Sequence, residues 1–374
     1  MPWHQESVMS QKLGFIRVVE VWPVMTEVCR RFGISRKTGY KWLRRYQGTG
    51  VQGLEEGSRR PHRSPRKTPD EIEELILSAR AAHPAWGGRK LKRWLEDQST
   101  EVLPVPSTIT EILRRHGLIS PEESRKRGPF CRFEYGQPND LWQMDFKGHF
   151  RVAGRPCHPL TVLDDHSRFS IVLKACEDQR RLTVKQHLTE AFEVYGLPAM
   201  ILVDNGGPWA PSSGGGWTKL SVWLLRVGVD VIRSGVRHPQ TLGKDERFHK
   251  TLRLECVEGH TFSTFQQVQN RFDKWRDIYN YERPHESAGM RPPASRYIIS
   301  SRPFPPTLAP IEYGPDDRVR KVSEEGEIKF SGRFFRVGKA FCGYPVGVRP
   351  GDEDGRFQVY FCQRMIKEID LRSL

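Results

Sequence analysis

The stretch "PAMILVDNGG", residues 198–207, places four apolar side chains directly before an acid, an asparagine and two glycines. The apolar run predicts a buried β-strand, and the glycines predict a tight turn at its carboxyl end. Because α/β sheets place their ligands at the carboxyl ends of strands, Asp204 is a candidate functional residue. The stretch therefore predicts an α/β domain and marks one edge of its sheet.

Strand and helix patterns alternate around this stretch. Strand patterns occupy residues 140–152 and 157–176, and helical patterns occupy residues 182–196, 217–229 and 244–257. Strands first, followed by alternating helix and strand, are typical of a mixed α/β domain with one central sheet. We predict that this domain spans residues 138–300.

The composition limits the class of protein. A chain of 374 residues predicts two to four domains, and 60 Lys and Arg against 45 Asp and Glu give a net charge of +15. This balance favours a polyanionic partner, nucleic acid first and an acidic membrane surface second. No apolar run could span a membrane, no export signal is evident, and the seven cysteines are scattered without a C-x-x-C pair. We therefore expect a soluble, cytoplasmic protein without a disulfide framework, a Cys-rich zinc site or a membrane partner.

The N-terminal residues 1–57 predict a helix-turn-helix DNA-binding domain. Thr26 and Ser35 are placed as N-caps of two helices, and Gly33 falls at the turn between them. The second helix carries the candidate DNA contacts, which are Arg36, Lys37, Thr38, Lys41, Arg44 and Arg45. An ordinary basic surface helix is the alternative, but residues 30–67 hold twelve Lys or Arg and only two acids, which favours DNA binding.

Three further segments complete the organisation. Residues 58–68 predict a basic linker, and residues 69–122 predict a second helix-turn-helix domain for which a structural spacer is the alternative. Residues 315–374 contain five or six short strands separated by turns, which predict a small β-barrel. Its role in DNA contact, subunit contact or packing stays open.

Three acids carry the predicted chemistry. Asp145 interrupts an apolar strand, Asp204 follows another, and Glu246 lies in the basic helical stretch "HPQTLGKDERFHKTL", residues 238–252. Carboxylates that converge repel each other unless a cation lies between them. Oxygen ligands without a His or Cys cluster favour Mg²⁺ or Mn²⁺, and two such ions can assist displacement at phosphorus. These acids are therefore the candidate catalytic and metal-binding residues.

Each acid also has a plainer interpretation. Taken singly, any of the three could be a hydrogen-bonded strand residue, a turn residue or a surface charge. Asp164 and Asp165 are rivals for the metal site, although their pattern is more typical of a hairpin turn. Asp245 is a weaker candidate than its neighbour Glu246, because adjacent helical residues are rotated by about 100°.

The ordered motifs resemble a known enzyme family. Those of the α/β domain are similar to the integrase-type core of bacterial insertion-sequence transposases, the DDE enzymes with a ribonuclease-H-like fold: "WQMDFKG" (142–148), "VDNGGPW" (203–209), "HPQTLGKDERFHKTL" (238–252) and "YNYERPHESAGMRPPASRY" (279–297). "RRFGISRKTGYKWLRRY" (30–46) and "HPAWGGRKLKRWL" (83–95) resemble the paired helix-turn-helix region that precedes such cores. The resemblance covers roughly residues 25 to 300.

The resemblance implies a specific function. Asp145, Asp204 and Glu246 match the metal-binding triad, and Arg253 matches a basic residue beyond the Glu. Lys250 and Arg253 would share the helical face of Glu246 and contact DNA phosphates. The resemblance implies a transposase that binds double-stranded DNA, both the terminal repeats of its element and a target, as a homodimer or larger assembly in the bacterial nucleoid.

Two alternative functions remain. A DNA-binding regulator on a former transposase scaffold would have lost a metal acid, yet all three acids are present. A ribonuclease-H-like nuclease would explain the core but not the helix-turn-helix domains. Overall we expect a multidomain chain with N-terminal all-α domains, a ribonuclease-H-like α/β core with a mixed sheet, and a C-terminal β-barrel.

Overall fold

The computed structural model describes most of the chain, namely residues 7–56, 67–119, 134–209, 216–233 and 243–372. Most of the predicted basic linker therefore lies outside the described residues. The chain divides into two compact units, residues 1–67 and 68–374. The second unit contains the other predicted domains, so their residue boundaries stay predictions.

The first unit is a group of three helices: α1 (Val8–Val21), α2 (Met25–Arg31) and α3 (Arg36–Thr49). Trp42 of α3 and Phe15 and Ile16 of α1 lie in one buried apolar cluster. A Cβ atom on Gly39 would lie 2.5 Å from the Cys29 sulfur, so glycine lets α2 and α3 pack closely. These residues form the all-α arrangement that the sequence predicts.

Two of the three residues predicted to shape the ends of α2 and α3 have the predicted role. Gly33 has φ +62°, which a glycine adopts without strain, and the Ser35 side chain accepts the backbone N–H of Thr38 at 3.2 Å. The predicted N-cap at Thr26 is wrong. The helix begins at Met25, two residues earlier than an N-cap at Thr26 implies, with Val24 at the cap position and no side-chain cap.

A second group of three helices follows: α4 (Asp70–Ala82), α5 (Gly88–Gln98) and α6 (Pro106–Arg115). Their apolar faces meet around Trp86, Leu91 and Ile109. This group packs against the later part of the chain, because Ile278 joins its apolar cluster and Arg89 forms an ion pair with Glu286 at 3.1 Å.

A mixed sheet forms the centre of the second unit. Its strands are β1 (Leu141–Phe146), β2 (Phe150–Val152), β3 (Arg155–Asp164), β4 (Ser170–Cys176), β5 (Met200–Val203) and β6 (Asp230–Arg233). The main order is β4-β3-β1-β5-β6, and the short β2 also pairs with β3. Strand β3 is antiparallel to both of its neighbours, β4 and β1, whereas β1, β5 and β6 are parallel to one another. This sheet confirms the predicted mixed α/β core.

Helices cover both faces of this sheet: α7 (Arg181–Tyr195), α8 (Lys219–Arg226), α9 (Gly243–Leu252) and α10 (Phe265–Asp277). Val162 of β3 packs in the cluster that contains α7 and α8, whereas its neighbour Leu163 packs in the cluster that contains α9 and α10. Since successive strand residues face opposite sides, α9 and α10 lie on the face away from α7 and α8.

The C-terminal part contains six short strands: β7 (Arg318–Lys321), β8 (Glu327–Phe330), β9 (Arg333–Arg336), β10 (Pro345–Pro350), β11 (Arg356–Phe361) and β12 (Arg364–Asp370). They form an antiparallel sheet in the order β12-β11-β10-β7 and a separate β8-β9 hairpin. The hydrogen bonds recorded for the described strands do not join β12 to β7, so the predicted closed barrel is not shown. Their core includes Val222 and Leu225 of α8. No helix in the described ranges is both long and apolar enough to cross a bilayer.

Candidate active site

Two of the three predicted acids lie side by side at one edge of the central sheet. The parallel pairing of β1 and β5 places Gln143 beside Leu202, and Asp145 and Asp204 each follow two residues later, close enough for the charge of Asp204 to act on Asp145. Neighbouring strands lie about 4.8 Å apart. The carboxyl ends of two parallel strands therefore bring these two acids together, although 59 residues separate them in sequence.

Each carboxylate is hydrogen-bonded through one oxygen to the backbone that follows it. Oδ1 of Asp145 accepts the N–H of Phe146 at 2.7 Å, and Oδ1 of Asp204 accepts the N–H of Gly206 at 2.9 Å. Burial raises the pKa of Asp145 to about 6, the Phe146 N–H opposes this shift, and the charge of Asp204 adds to it. The charge of Asp204 thus disfavours the ionised form of Asp145, as expected of a site that binds a cation.

The chemistry of this pair fits a hard divalent cation. Within the described residues, Oδ2 of Asp145 and Oδ2 of Asp204 make no hydrogen bond, so each acid keeps one oxygen for a ligand. Mg²⁺ is commonly held by one or two carboxylates with water and substrate phosphate oxygens. Across the described ranges, no group of three or more His, Cys, Asp or Glu side chains is arranged to hold a metal ion. The structure therefore supplies a two-carboxylate site, and a third carboxylate ligand stays a prediction.

Helix α9 presents its two acids in opposite ways. Glu246 is exposed, whereas Asp245 is 2% exposed and neither of its carboxyl oxygens has a hydrogen-bond partner in the described part of the chain. Burial raises the pKa of Asp245 well above its usual range, and the charges of Asp145 and Asp165 add to this shift. A carboxyl held neutral is a poor ligand for a cation, so the exposed Glu246 is the better candidate on this helix.

A histidine links α9 to the acid pair. Nδ1 of His249 lies 3.9 Å from Oδ2 of Asp145, and its Nε2 shares a 2.8 Å hydrogen bond with Oγ1 of Thr161 on β3. Burial lowers the pKa of His249 to about 4, and the charge of Lys147 adds to this shift, so the ring is neutral at pH 7. Glu246 lies one helical turn before His249, where side chains are neighbours. This turn of α9 therefore faces the carboxyl end of β1.

Three candidate phosphate-binding cations lie just after β1, on α9 and in the turn that follows α9. Lys147 follows β1 directly, and burial lowers its pKa, an effect to which the charge of Arg253 adds. Arg253 forms an exposed ion pair with Glu258 at 3.8 Å, and such pairs stabilise little and exchange readily. The predicted continuous α-helical face needs correction, because α9 ends at Leu252 and Arg253 begins a π-type turn that extends to Val257. Lys250 lies on α9 itself and is half-buried.

Sequence reasoning missed Lys147, Thr161 and His249. The available signals were positional: Lys147 lies two residues after Asp145, where strand residues share a face, and His249 lies three residues after Glu246, where helical residues are neighbours. Thr161 carried no such signal, since its position opposite Asp145 depends on the register between β1 and β3.

The rival acids Asp164 and Asp165 have structural roles at the turn between β3 and β4, where both accept hydrogen bonds. Oδ1 of Asp164 accepts the backbone N–H of Ser167 at 2.7 Å, which is the local turn bonding that the sequence predicts. Oδ2 of Asp165 accepts the N–H of Tyr135 at 2.8 Å. Both acids are fully buried and hydrogen-bonded, so neither has a free oxygen directed to the Asp145–Asp204 pair.

The candidate DNA contacts on α3 are mostly exposed. Five are cations at the helix surface, and in residues 7–56 they form no ion pair: Arg36, Lys37, Lys41, Arg44 and Arg45. Lys41 and Arg45 lie over the ring of Trp42, at 4.7 and 5.2 Å from its centre. Thr38 is half-buried, and its hydroxyl shares a 2.9 Å hydrogen bond with Ser35. Thr38 is therefore engaged in the N-cap of α3.

Known protein families match most of these parts of the chain. A homeodomain-like domain matches residues 38–113, and two integrase core domain families match residues 136–239 and 227–293. The C-terminal domain of the IS481 family transposases matches residues 317–374.

Two proteins encoded by bacterial insertion elements are similar to this chain. An uncharacterized 39.2 kDa protein of element IS476 from Xanthomonas euvesicatoria is 31% identical over 157 residues, which are 42% of this chain and 44% of that protein. An uncharacterized 31.7 kDa protein of element IS407 from Burkholderia multivorans is 26% identical over 60% of this chain and 82% of that protein. Together these matches make the chain similar to insertion-sequence transposases with an integrase-type core. The chain spans less than half the length of the Xanthomonas relative.

Retroviral integrases are among the solved structures that resemble the chain. The match to the catalytic core domain of the HTLV-2 integrase, in complex with magnesium, covers 43% of this chain and 98% of the integrase chain. The identity is 14% and the TM-score is 0.33. A simian T-cell lymphotropic virus intasome chain covers 79% of this chain and 99% of its own, with 13% identity and a TM-score of 0.38.

Proposed function

We propose that the chain is a metal-dependent DDE transposase that binds the ends of an insertion sequence and joins them to target DNA. The observation that carries this proposal is the proximity of Asp145 and Asp204 just beyond the paired residues of the parallel strands β1 and β5, where burial and the charge of Asp204 raise the pKa of Asp145 to about 6. The pair lies within the segment that matches the integrase core domain.

The proposed reaction has two displacements at phosphorus. Water attacks a phosphodiester at the end of the element, the P–O3′ bond breaks, and a 3′-hydroxyl leaves. The oxygen of that hydroxyl then attacks a phosphorus of the target, a new P–O bond forms, and the 3′-oxygen of the target strand leaves with a proton. Neither step needs a covalent enzyme intermediate.

The chain's own residues would divide this work. Asp145, Asp204 and Glu246 would hold two Mg²⁺ or Mn²⁺ ions, which when bound supply Lewis-acid stabilisation of charge at phosphorus. Lys147, Lys250 and Arg253 would bind and orient the phosphates next to the acids. The neutral ring of His249, fixed by Thr161, would keep the Asp145 carboxylate directed toward the site.

The remaining proposals concern partners. The exposed cations of α3 would bind double-stranded DNA at the terminal repeats, with Arg36 near the start of the helix where side chains reach base edges. Since two element ends must be joined to one target, a homodimer or larger assembly on DNA is part of the proposal. A place in the bacterial nucleoid would follow from DNA binding.

A strand-transfer assay with purified protein, labelled element-end DNA and Mg²⁺ tests this proposal. We expect Asp145→Asn and Glu246→Gln to abolish both cleavage and joining while end binding stays within about threefold, a binding change of less than about 1 kcal/mol. Asp277→Asn, which removes an exposed acid of the same domain, is the matched control and should retain activity. EDTA should stop wild-type cleavage.

Other outcomes would identify other functions. Cleavage without joining would indicate a nuclease, and tight end binding without any cleavage would indicate a regulator. Asp245→Asn tests the choice between the two acids of α9. If Asp245→Asn abolished cleavage and Glu246→Gln did not, the third acid would be Asp245.

A further inference from the structure

The first turn of α9 contains a lysine that does not face solvent. The side chain of Lys244 is 14% exposed, and its ammonium forms an ion pair with the carboxylate of Asp165, which is fully buried. The same Nζ lies 3.5 Å from the backbone oxygen of Asp165. Lys244 therefore connects α9 to the turn between β3 and β4, 79 residues away in sequence.

The other bonds of Asp165 connect it to β1. The same Oδ1 that meets Lys244 accepts Nε2–H of Gln143 at 2.6 Å, and the Asp165 N–H donates to the Leu141 oxygen at 2.9 Å. Gln143 and Asp145 are two residues apart on β1, so their side chains lie on the same face of the sheet. One buried carboxylate oxygen thus joins the strand that carries Asp145 to the helix that carries Glu246.

Helix geometry places the Lys244–Asp165 ion pair on a different side of α9 from the candidate metal ligand Glu246. Lys244 and Glu246 are two residues apart on α9, which rotates their side chains by about 200° from each other. Lys244 can therefore point into the protein while Glu246 points outward, as their burial indicates. A lysine in this position can fix the helix without touching substrate or ion.

We propose that the Lys244–Asp165 ion pair is a positioning device that holds the first turn of α9, and with it Glu246, against the carboxyl end of β1. This inference rests on the proposed function of Glu246. Breaking a buried ion pair leaves an uncompensated charge, and a displacement of about 1 Å at a reacting centre can cost about a hundredfold in rate. The pair therefore matters for turnover more than for DNA affinity.

Three variants of the full-length chain test this proposal. Lys244→Met removes the charge and keeps most of the side-chain length, whereas Lys244→Arg keeps the charge and the reach. Lys250→Met is the matched control, because Lys250 lies on the same helix and forms no ion pair within the described part of the chain. Two properties are measured: hydrogen exchange of peptide 243–252 in metal-free protein, and the single-turnover rate of Mg²⁺-dependent cleavage of element-end DNA.

The expected results differ between the variants. Lys244→Met should speed exchange of peptide 243–252 and lower the cleavage rate about a hundredfold, with end binding unchanged. Lys244→Arg should restore slow exchange and cleavage. Lys250→Met should weaken DNA binding and leave exchange unchanged, and Glu246→Gln should abolish cleavage with exchange as in the wild type.

Each failure has its own signature. If Lys244→Met leaves exchange of α9 unchanged, or speeds exchange without slowing cleavage, the positioning proposal is wrong. If wild-type protein cleaves no element-end DNA while exchange responds as expected, the proposed function fails and the contact that holds α9 stands. Should Lys244→Met not fold, the neutral pair Lys244→Gln with Asp165→Asn keeps a hydrogen bond in place of the ion pair, and it should show the same faster exchange.

Discussion

Helices α3 and α9 each carry several Lys or Arg residues, yet their cations are used differently. On α3, Arg36, Lys37 and Arg44 are exposed and form no ion pair within residues 7–56. On α9, Lys244 is largely shielded from solvent and forms an ion pair with the fully buried Asp165. Similar composition therefore conceals a difference in how many cations each helix offers to a polyanion.

The apolar positions explain this difference. Helix α3 buries only Gly39 and Trp42 among its residues, so its charged residues stay at the surface. Helix α9 buries Phe248 and Leu252 in the cluster it shares with α10, and the same face carries Asp245 into the interior. Exposed cations without partners keep their full charge for phosphates, whereas a paired cation fixes structure.

The largest expected effect is on the salt dependence of DNA binding. If the exposed basic residues bind phosphates, affinity for element-end DNA should fall by about 10³ or more between 50 and 200 mM salt. Removing two cations of α3 with Lys37→Ala and Arg44→Ala should reduce the slope of log K against log salt by about 1.8, at about 0.9 per phosphate contact. Fluorescence anisotropy across a salt series measures both.

For Lys244→Met on α9, in contrast to the α3 variant, we expect no change in the salt dependence of DNA binding. It also removes one positive charge, but from a buried pair, so the salt slope should stay at the wild-type value. An equal loss of slope in Lys244→Met and in the α3 variant would mean that position on the surface is irrelevant and that only net charge acts.

A second, smaller effect concerns sequence readout by α3. Arg36 lies in the first turn, where side chains reach base edges, so Arg36→Ala should weaken binding to element ends by about 1–3 kcal/mol. Binding to random DNA of the same length should change much less. Arg17→Ala on α1 removes an exposed arginine of the same unit and serves as the control. Equal losses on both DNAs would make Arg36 a phosphate contact.

The sequence could predict that Asp145 and Asp204 lie close together, but the convergence of Glu246 with them stays a prediction, and the contacts that hold α9 in place were not foreseen. Asp145 lies near the carboxyl end of one apolar strand and Asp204 directly follows another, and parallel strands bring their carboxyl ends to one edge, so their proximity follows from pattern and topology. Lys244 gave no such signal, because a lysine beside an acid on a basic helix is ordinarily solvated. Its burial depends on how α9 lies against a turn 79 residues away, which only the tertiary structure fixes.

The C-terminal strands illustrate the same limit. Six short strands with glycine turns were predicted correctly as strands, since pattern and turn chemistry are local properties. Closure into a barrel depends on whether the first and last strands of the sheet pair, and their pairing is not encoded in either strand alone. The packing of this sheet on Val222 and Leu225 of α8 was likewise beyond local pattern.

The smallest expected effect concerns a third basic helix, α5. It tests whether Lys90 of α5 is solvated, like the cations of α3, or constrained by packing, like Lys244 of α9. Burial lowers the pKa of Lys90 to about 7, and the charge of Arg283 adds to this shift. Since the unfolded chain keeps its proton to about pH 10.5, the protonated amine destabilises the fold below pH 7, and stability should rise with pH between 7 and 10.5. Lys90→Met should therefore raise Tm at pH 6.5, by about 2–4 °C if the gain is about 1 kcal/mol, and by less at pH 9.5.

Thermal melts at the two pH values measure this difference, with Lys219→Met, an exposed lysine of α8, as the control that should show no pH-dependent gain. A gain for Lys90→Met that does not change with pH would show that the amine is solvated in the folded protein. In that case α5 would belong with α3, as a helix whose cations are free for DNA. A gain that shrinks as pH rises would place α5 with α9, because its lysine would then be constrained by the packing of the second helical group against the core.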